Sequence, residues 1–375
     1  MKNLKSLAER LKSWGIELGF QQIGIASIHK EDVTLAAHQR YFEKWLENNH
    51  HGEMQYMANH QAIRQDISGL LTNTLSVITA RMDYLPENTN PIENLSQTDK
   101  AYIARYALGR DYHKVMRKKL KLLGEKLTAE ITDTQYRVCV DSAPLLEKAL
   151  AEKSGLGWIG KNSLVINQKA GSWFFLGEIL TNLPLPADAP ASFHCGSCEA
   201  CIKVCPTDAI IAPFQIDARK CIAYLTIEYK GSIPFELREK MGNRIFGCDD
   251  CQLFCPWNRF AKSTTEADYQ PRHSLDNNEL LTLFLWDEDT FLKKTEGSPI
   301  RRTGYTGWLR NIAVGLGNAP YDTRILNALI TKKESTNILV QEHIDWAIQQ
   351  QEKKKLALDS VSTIVRIDQT ALHDD

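Results

Sequence analysis

Eight of the nine cysteines of this 375-residue chain cluster in one short segment, and their spacing constrains the fold more than any other feature. Four of them form the run Cys195-x2-Cys198-x2-Cys201-x3-Cys205, and Pro206 follows immediately. In a run of this kind, three cysteines hold one four-iron cluster while the fourth turns away to a second cluster. The pattern therefore predicts two 4Fe-4S clusters that exchange ligands, as in bacterial ferredoxins.

The other four cysteines of this segment complete the two clusters. A second block, Cys248-x2-Cys251-x3-Cys255 followed by Pro256, has the same ending but no cysteine three residues before Cys248. Cys221 can fill that position. We therefore expect one cluster to be bound by Cys195, Cys198, Cys201 and Cys255, and the other by Cys205, Cys221, Cys248 and Cys251.

Two structural zinc sites are the alternative interpretation of these cysteines, because C-x2-C pairs also occur in zinc ribbons and knuckles. Zinc knuckles do not need two C-x3-C-P endings, which favours the clusters. The ninth cysteine, Cys139, lies in the apolar stretch from Tyr136 to Val140. We predict that it is a buried strand residue and not a ligand.

Composition and hydrophobic patterns divide the chain into three predicted parts. With 43% hydrophobic and 24% charged residues, the composition is that of an ordinary globular protein, and the length favours two or three domains. We predict a multidomain α+β or α/β protein. Its parts are an α/β domain for substrate and a large cofactor (residues 1–185), a ferredoxin-type domain (residues 186–262) and a helical, HEAT-like segment (residues 263–375).

The sequence also predicts a soluble, cytoplasmic protein. The first twenty residues place apolar side chains three and four apart between charges, a pattern typical of an amphipathic helix and not of a signal peptide. No run of about 18 apolar residues indicates a transmembrane helix. Clustered cysteines in a reducing compartment favour metal over disulfides. The net charge is −1, so any nucleic-acid contact requires a local basic patch.

A glycine-rich stretch resembles two nucleotide-binding motifs without matching either. Gly155, Gly157 and Gly160 fit G-x-G-x-x-G, but they follow a helical pattern and precede a strand, the reverse of the dinucleotide-binding order. A P-loop needs Ser or Thr where this stretch has Asn162. The remaining interpretations are a tight helix-to-strand turn, or a loop that approaches a bulky ligand with Lys161, Asn162 and Ser163 as polar contacts.

Several longer stretches closely resemble epoxyqueuosine reductases. They are residues 104–120, 140–182 and 221–234, together with both cysteine blocks, and the match spans roughly residues 1–318. The resemblance implies a cobalamin between the N-terminal and ferredoxin-type domains. It also implies reduction of the epoxide of epoxyqueuosine to queuosine at the wobble position of tRNA, with electrons from an external flavodoxin- or ferredoxin-like donor. We expect a monomer with no membrane partner.

The resemblance also assigns roles to individual residues. Asp141, at the end of a strand-like stretch, aligns with the family's catalytic acid, while its alternative role is to cap a helix predicted to begin at Pro144. Enclosure by an apolar cofactor would raise the pKa of Asp141. The expected cobalamin-binding residues are Arg64, Ala104, Asp141, Lys161, Asn162, Ser163, Val165, Leu176, Ala223 and Lys230.

A basic stripe is the predicted contact with tRNA. Its members recur at helical spacing, while apolar residues occupy another face of the same helix. They are Lys114, Arg117, Lys118 and Lys121. An ordinary solvated lysine face is the alternative. In the C-terminal segment, Arg301, Arg302 and Arg310 are predicted to extend the surface.

Two other functions fit parts of this pattern. One is a cobalamin-dependent reductase of small molecules, of the reductive-dehalogenase type, with the same clusters and no tRNA substrate. An export signal is expected of respiratory dehalogenases, and the N-terminal pattern does not predict one. The other is an electron-carrying ferredoxin fused to an unrelated domain, which leaves the long N-terminal part without a role.

Overall fold

The N-terminal part folds around one antiparallel sheet. A computed structural model describes residues 4–29, 32–87 and 89–371, with side chains described as far as residue 360. The strands are β1 (Gln22–Ser27), β2 (Ser76–Asp83), β3 (Tyr102–Ile103), β4 (Tyr136–Cys139), β5 (Trp158–Ile159), β6 (Val165–Ile166) and β7 (Phe174–Thr181). Four of them pair in the order β1-β2-β7-β4, always antiparallel. Of the two predicted classes, this part is therefore α+β.

Helices cover both faces of this sheet. The helices of the N-terminal part are α1 (Leu4–Glu17), α2 (Val33–Glu47), α3 (Gln55–Ala58), α4 (Gln61–Gln65), α5 (Pro91–Ser96), α6 (Tyr112–Glu130) and α7 (Glu147–Lys153), of which α1, α6 and α7 contact the sheet. On one face, Leu11 of α1 and Leu120 of α6 share a core cluster with Ile179 of β7. On the other, Leu150 of α7 packs with Val77 and the predicted strand residue Cys139, which is buried. Because both faces are covered, β2 is buried at every position.

The cysteine-rich part consists of short elements. Its strands are β8 (Ile210–Ala212), β9 (Gln215–Ile216) and β10 (Arg244–Phe246), and its helices are α8 (Ala200–Val204), α9 (Ile222–Ile227), α10 (Phe235–Arg238) and α11 (Asp250–Leu253). β8 and β9 form a hairpin, while β10 pairs in parallel with β3 of the N-terminal part. Backbone hydrogen bonds therefore join the two parts.

The C-terminal part is helical, as predicted. Its helices are α12 (Leu280–Phe284), α13 (Glu288–Lys294), α14 (Gly304–Asn318), α15 (Thr323–Lys333) and α16 (Ile338–Ala371). α14 is buried without interruption from Gly307 to Gly317. A helix that is buried on every side must be enclosed by other elements, and α12, α16 and β10 enclose this one.

The hydrophobic cores cross the predicted domain boundaries. One core cluster combines Ile103 of the N-terminal part, Ile222 of the cysteine-rich part and Trp308 of the C-terminal part. The divisions at residues 185 and 262 stay predictions, because the parts on either side share this core. Within the described ranges, no helix combines the length and apolarity needed to cross a membrane.

Candidate functional site

Four cysteines surround a cavity of about 190 Å³ in the cysteine-rich part. Cys195, Cys198 and Cys201 come from the first block, and Cys255 comes from the end of the second. The fourth side chain therefore arrives from the other block, as the spacing predicts. Among the described residues, no three His, Cys, Asp or Glu side chains converge closely enough to hold a single metal ion. These cysteines form the first cysteine group.

Cys205, Cys221, Cys248 and Cys251 form the second cysteine group. Burial raises the pKa of Cys221, and the neighbouring Cys205 raises it further. Burial raises the pKa of Cys251 in the same way, with contributions from Cys221, Asp249, Cys201 of the first cysteine group and Cys205. Burial and Asp250 raise the pKa of Cys248, to which Cys221 adds. The thiolates of these cysteines would repel one another, and a metal cluster bound between them would relieve that repulsion.

Polar groups surround the sulfur atoms of both groups. The indole Nε1–H of Trp158 donates to Sγ of Cys195 at 3.4 Å. The backbone N–H of Ala209 donates to Sγ of Cys205 at 3.2 Å. Hydrogen bonds to the sulfur ligands of an iron–sulfur cluster are among the factors that set its reduction potential. The reduction potential of the first cluster therefore depends on a side-chain donor, and that of the second on a backbone donor.

A larger cavity, of about 520 Å³, lies between the N-terminal and cysteine-rich parts, and we call it the cofactor cavity. Phe42 and Trp45 of α2 give it an aromatic wall, and α9 contributes the predicted contact Ala223. The predicted contact Ser163 also lines it, as does Cys221 of the second cysteine group. A concave, largely apolar space of this size is typical of a site for a large cofactor. The cofactor cavity adjoins the second cysteine group because Cys221 belongs to both.

A smaller cavity, of about 140 Å³, adjoins the cofactor cavity, and we call it the acid pocket. Lys148 lines both. The acid pocket contains three of the predicted contacts, Asp141, Val165 and Leu176, and Tyr112 also lines it. The structure thus brings a candidate acid to the edge of a candidate cofactor site.

Three other predicted cobalamin contacts line neither of these cavities. Arg64 is 8% exposed, donates to the carbonyl of Met57 at 3.0 Å and lies over the ring of Phe42 at 5.5 Å. It therefore supports the aromatic wall from behind. Ala104 is buried and its N–H donates to the carbonyl of Phe246 at 2.8 Å. The ammonium of Lys230 donates to backbone carbonyls of residues 227 and 302, both at 3.1 Å.

The glycine-rich stretch contacts the cysteine-rich part, and of its three predicted polar contacts only Ser163 lines the cofactor cavity. Lys161 Nζ donates to the carbonyl of Cys198 at 2.9 Å, and Asn162 Nδ2 donates to the carbonyl of Cys251 at 3.2 Å. A Cβ on Gly157 would lie 2.4 Å from the carbonyl oxygen of Ile166. The close approach that glycine permits here is to the protein itself, so the structure favours the tight-turn interpretation.

Asp141 stands at the centre of a hydrogen-bonded network in the acid pocket. It follows β4, and its backbone has φ of +44°, in the left-handed region that non-glycine residues rarely adopt. Its Oδ2 accepts a hydrogen bond from the hydroxyl of Tyr112 at 2.7 Å and lies 3.0 Å from Nε2 of His113. The helix that follows begins at Glu147 and not at Pro144, so the helix-cap role considered for Asp141 is wrong.

Within the protein itself, the pKa of Asp141 is lowered, opposite to the direction expected of enclosure by a cofactor. Burial disfavours the Asp141 anion, but hydrogen bonds from His113 and Tyr112 outweigh it and lower the pKa. Burial opposes the charge on His113 as well, yet Asp111 and Asp141 raise the pKa of His113 to about 9. At neutral pH, His113 therefore carries the proton and Asp141 is ionised. Burial alone does not predict the pKa of a carboxylate that accepts hydrogen bonds from two donors.

Sequence reasoning missed four titratable residues of this network. Asp111 and His113 lie at the start of α6, in a stretch that was interpreted only as a basic stripe. Burial and Asp141 raise the pKa of Glu147 to about 7. Burial raises the pKa of Glu178 well above its ordinary value, with contributions from Glu147 and Asp141. The adjacent acid and imidazole in Asp-Tyr-His were the available signal, but their partner Asp141 is distant in the chain.

The basic stripe lies on α6 as predicted. Its members, Lys114, Arg117, Lys118 and Lys121, are all exposed, and the opposite face buries Met116, Leu120 and Leu123. Arg301 and Arg302 are exposed as well. Arg310 was predicted to extend this surface and does not, because it is 1% exposed and donates to the carbonyls of Leu225, Tyr229 and Gly231. It has a structural role.

Family models match two parts of the chain. A model described as "Epoxyqueuosine reductase QueG, DUF1730" matches residues 64–142. A model described as "4Fe-4S double cluster binding domain" matches residues 194–258. The first contains Asp111, His113 and Asp141, and the second contains both cysteine groups.

Whole-chain comparisons agree with these models. The curated epoxyqueuosine reductase of Pseudomonas aeruginosa is 57% identical over 343 residues, which cover 91% of this chain and 94% of that relative. A solved epoxyqueuosine reductase from Streptococcus thermophilus superposes with a TM-score of 0.83 at 26% identity, covering 93% of this chain and 91% of that one. A crystal structure of epoxyqueuosine reductase with an epoxyqueuosine-modified tRNA-Tyr stem loop has a TM-score of 0.76 at 24% identity, with 93% and 100% coverage, and it shares the fold.

Proposed function

The chain belongs to the epoxyqueuosine reductase family, and we propose the roles that its own residues have in that reaction. It reduces the epoxide of epoxyqueuosine in tRNA, and two 4Fe-4S clusters carry the electrons. In our proposal, Cys195, Cys198, Cys201 and Cys255 hold one cluster, and Cys205, Cys221, Cys248 and Cys251 hold the other. The second cysteine group is the inner one, because Cys221 also lines the cofactor cavity.

We propose that cobalamin is the group held in the cofactor cavity, whose lining is largely apolar. Ser163 and Ala223 would line its face, while Phe42 and Trp45 provide an apolar wall that Arg64 supports from behind. When bound, cobalamin supplies a reduced cobalt centre that passes electrons from the clusters to the substrate. The observation that carries this proposal is the sharing of residues: Cys221 joins the cofactor cavity to a cluster, and Lys148 joins it to the acid pocket.

Asp141 is the residue that we assign to proton delivery. Removing the epoxide oxygen leaves an alkene and a water molecule, so the departing oxygen must gain protons as its bonds to carbon break. The side chain of Asp141 is 45% exposed, which leaves it open to a substrate in the acid pocket. Val165 and Leu176 line the same pocket and would hold the substrate ring away from bulk water.

The tRNA contacts in this proposal are the basic stripe of α6 together with Arg301 and Arg302. The stripe begins one residue after His113, so a backbone bound along α6 would run towards the acid pocket. Since the substrate is tRNA, we propose that the protein acts in the cytoplasm. The flavodoxin- or ferredoxin-like donor and the monomeric state stay predictions. The small-molecule dehalogenase alternative is not favoured, because the curated relative that covers most of the chain is an epoxyqueuosine reductase.

Single-turnover reduction of epoxyqueuosine-modified tRNA tests the role of Asp141. In Asp141→Asn, the shape and most of the hydrogen bonding are kept, but the side chain can no longer take up a proton and transfer it. We expect both clusters and cobalamin to bind as in the wild type, while the chemical step slows by about 10²- to 10⁴-fold, the usual contribution of general acid catalysis. Asp289→Asn, at an exposed position on α13, is the matched control. A wild-type rate in Asp141→Asn would show that the proton comes from another group.

A further inference from the structure

The reaction needs more protons than one carboxyl group delivers. Two carbon–oxygen bonds break, a carbon–carbon double bond forms, and the oxygen leaves as water. Two electrons from the cluster chain and two protons therefore enter in each turnover. Asp141 can give one proton at a time, and its pKa is lowered, so it begins the reaction as the anion. A second group must hold protons beside it.

Asp111, His113 and Asp141 form a line of hydrogen-bonded groups that leads into the acid pocket. Nε2 of His113 lies 3.0 Å from Oδ2 of Asp141. Nδ1 of the same ring lies 2.7 Å from Oδ1 of Asp111. Asp111 also caps α6, because the same Oδ1 accepts from the backbone N–H of His113 at 3.0 Å. The cap holds the first turn of the helix and thereby fixes the position of the imidazole.

The line is partly open to water along its length. The side chains of Asp111, His113 and Asp141 are 28%, 22% and 45% exposed. The ring of Tyr112 stacks on that of His113 at 4.1 Å between centroids, which limits rotation of the imidazole. An imidazole held between two carboxylates with an exposed edge can gain a proton from solvent and pass it on in one direction.

The surrounding charges favour a protonated imidazole. Asp111 and Asp141 face His113 directly, and the half-buried Glu147 of α7 is a third acidic neighbour, itself near Lys148. Lys114 lies near Asp111, and Arg302 lies near Asp141. The two carboxylates in contact outweigh burial and raise the pKa of His113 to about 9. A proton is therefore stored on His113 throughout the neutral range.

We propose that His113, oriented by Asp111, is the proton reservoir that recharges Asp141 in each turnover. His113 gives its Nε2 proton to Oδ2 of the Asp141 anion, and the carboxyl group so formed gives a proton to the departing oxygen; this transfer occurs twice in each turnover. The neutral imidazole keeps its Nδ1–H bond to Asp111, and water then restores the Nε2 proton. The electrons come from the cluster chain and the oxygen leaves as water, so the exchange balances. His113 acts through Asp141 and is a positioning residue; the inference rests on the proposed role of Asp141.

A pH series of single turnovers by the pre-reduced holoenzyme tests the reservoir. In the wild type, we expect a rate that is level below pH 8 and falls as His113 loses its proton near pH 9. His113→Gln should be about 10- to 100-fold slower at pH 7 and should lose that fall, because the titrating group is gone. Asp111→Asn should move the fall to lower pH, since one of the two carboxylates that raise the His113 pKa is neutralised. His38→Gln, which removes a histidine 2.8 Å from Glu152, is the matched control and should behave as the wild type.

Two further measurements separate proton storage from a purely structural role. Added imidazole should restore part of the rate of His113→Ala, as expected when a proton carrier is replaced. Histidine ring NMR of the holoenzyme, assigned with His113→Gln, should show one imidazole titrating above pH 8 in the wild type and lower in Asp111→Asn. A wild-type rate and pH profile in His113→Gln, with Asp141→Asn still slow, would overturn the reservoir and leave the acid in place. A wild-type rate in Asp141→Asn would overturn the proposed acid itself.

Discussion

The cysteine groups and the acid pocket are assembled in opposite ways. All eight cysteines come from one segment of the chain, and the crossed grouping follows from their spacing. The acid pocket combines the start of α6, the loop after β4, α7 and β7. Metal ligands must meet at fixed distances from one cluster, so their spacing survives as a sequence pattern. A proton path needs only contact in the folded state, so its members can lie anywhere in the chain.

The largest effect expected in the cysteine groups is the loss of one cluster. Cys221→Ala removes the ligand that lies outside both cysteine blocks. Iron should fall from about eight to about four atoms per chain, because each cluster contains four. Turnover should be abolished, since the second cysteine group adjoins the cofactor cavity. Iron analysis and EPR of the reduced protein measure this loss.

The matched control for that variant is the cysteine that takes no part in either group. Cys139→Ala, at the buried last residue of β4, should keep about eight iron atoms. Equal loss of both clusters in a folded Cys221→Ala protein would break the comparison, because the crossed grouping would then not describe two separable sites. Zinc in place of iron after anaerobic reconstitution would contradict the clusters altogether.

The basic stripe should show a smaller and salt-dependent effect. Lys114→Ala with Lys118→Ala removes two exposed cations, so tRNA binding should weaken by roughly tenfold and the slope of log K against log salt should fall by about two. Lys353→Ala with Lys355→Ala removes two exposed cations from α16 and is the control. Binding measured at several salt concentrations decides the question. An unchanged slope would make these lysines an ordinary solvated face.

Hydrogen bonds to sulfur should have effects of tens of millivolts. Trp158→Phe removes the indole N–H that donates to Cys195 while keeping most of the ring. The reduced cluster carries more negative charge and benefits more from the donor, so its potential should fall by roughly 10 to 40 mV. Redox titration followed by EPR should show this shift in one cluster only. Trp286→Phe, in the C-terminal part, is the control. A shift in both clusters would indicate a wider rearrangement.

The sequence predicted the two cysteine groups well and the acid pocket poorly, for physical reasons. The cysteine spacing, the buried strand at Cys139 and the exposed stripe of α6 all depend on local periodicity. The resemblance supplied Asp141 but not its ionisation, because that depends on Tyr112 and His113. The prediction that Arg310 lies on the basic surface was wrong for a similar reason. A charged residue is expected to be exposed unless its carbonyl partners are known. Such partners belong to the tertiary structure alone.

The sheet beside the acid pocket contains a buried carboxyl group, that of Glu178, with an unpaired oxygen. Glu178 is 1% exposed, and its Oε1 has no hydrogen-bond partner within the described residues. Burial raises its pKa well above the ordinary value, and Glu147 and Asp141 raise it further. Its protonated form is therefore the one that folding favours. It lies on β7 opposite Thr79 and Cys139, within the sheet that supports the acid pocket.

Glu178→Gln should have the smallest effect, and its sign depends on pH. A carboxyl group whose pKa is raised by folding binds protons more tightly in the folded than in the unfolded state, so stability falls as pH rises from its unfolded pKa towards its folded pKa. Glutamine removes this loss. The Tm of the variant relative to wild type should therefore increase between pH 5 and pH 8, by about 2 °C for roughly 1 kcal/mol. Glu352→Gln, exposed on α16, should show no such trend. A difference independent of pH would mean that Glu178 is ionised in the folded protein, and its burial would then require a partner at Oε1.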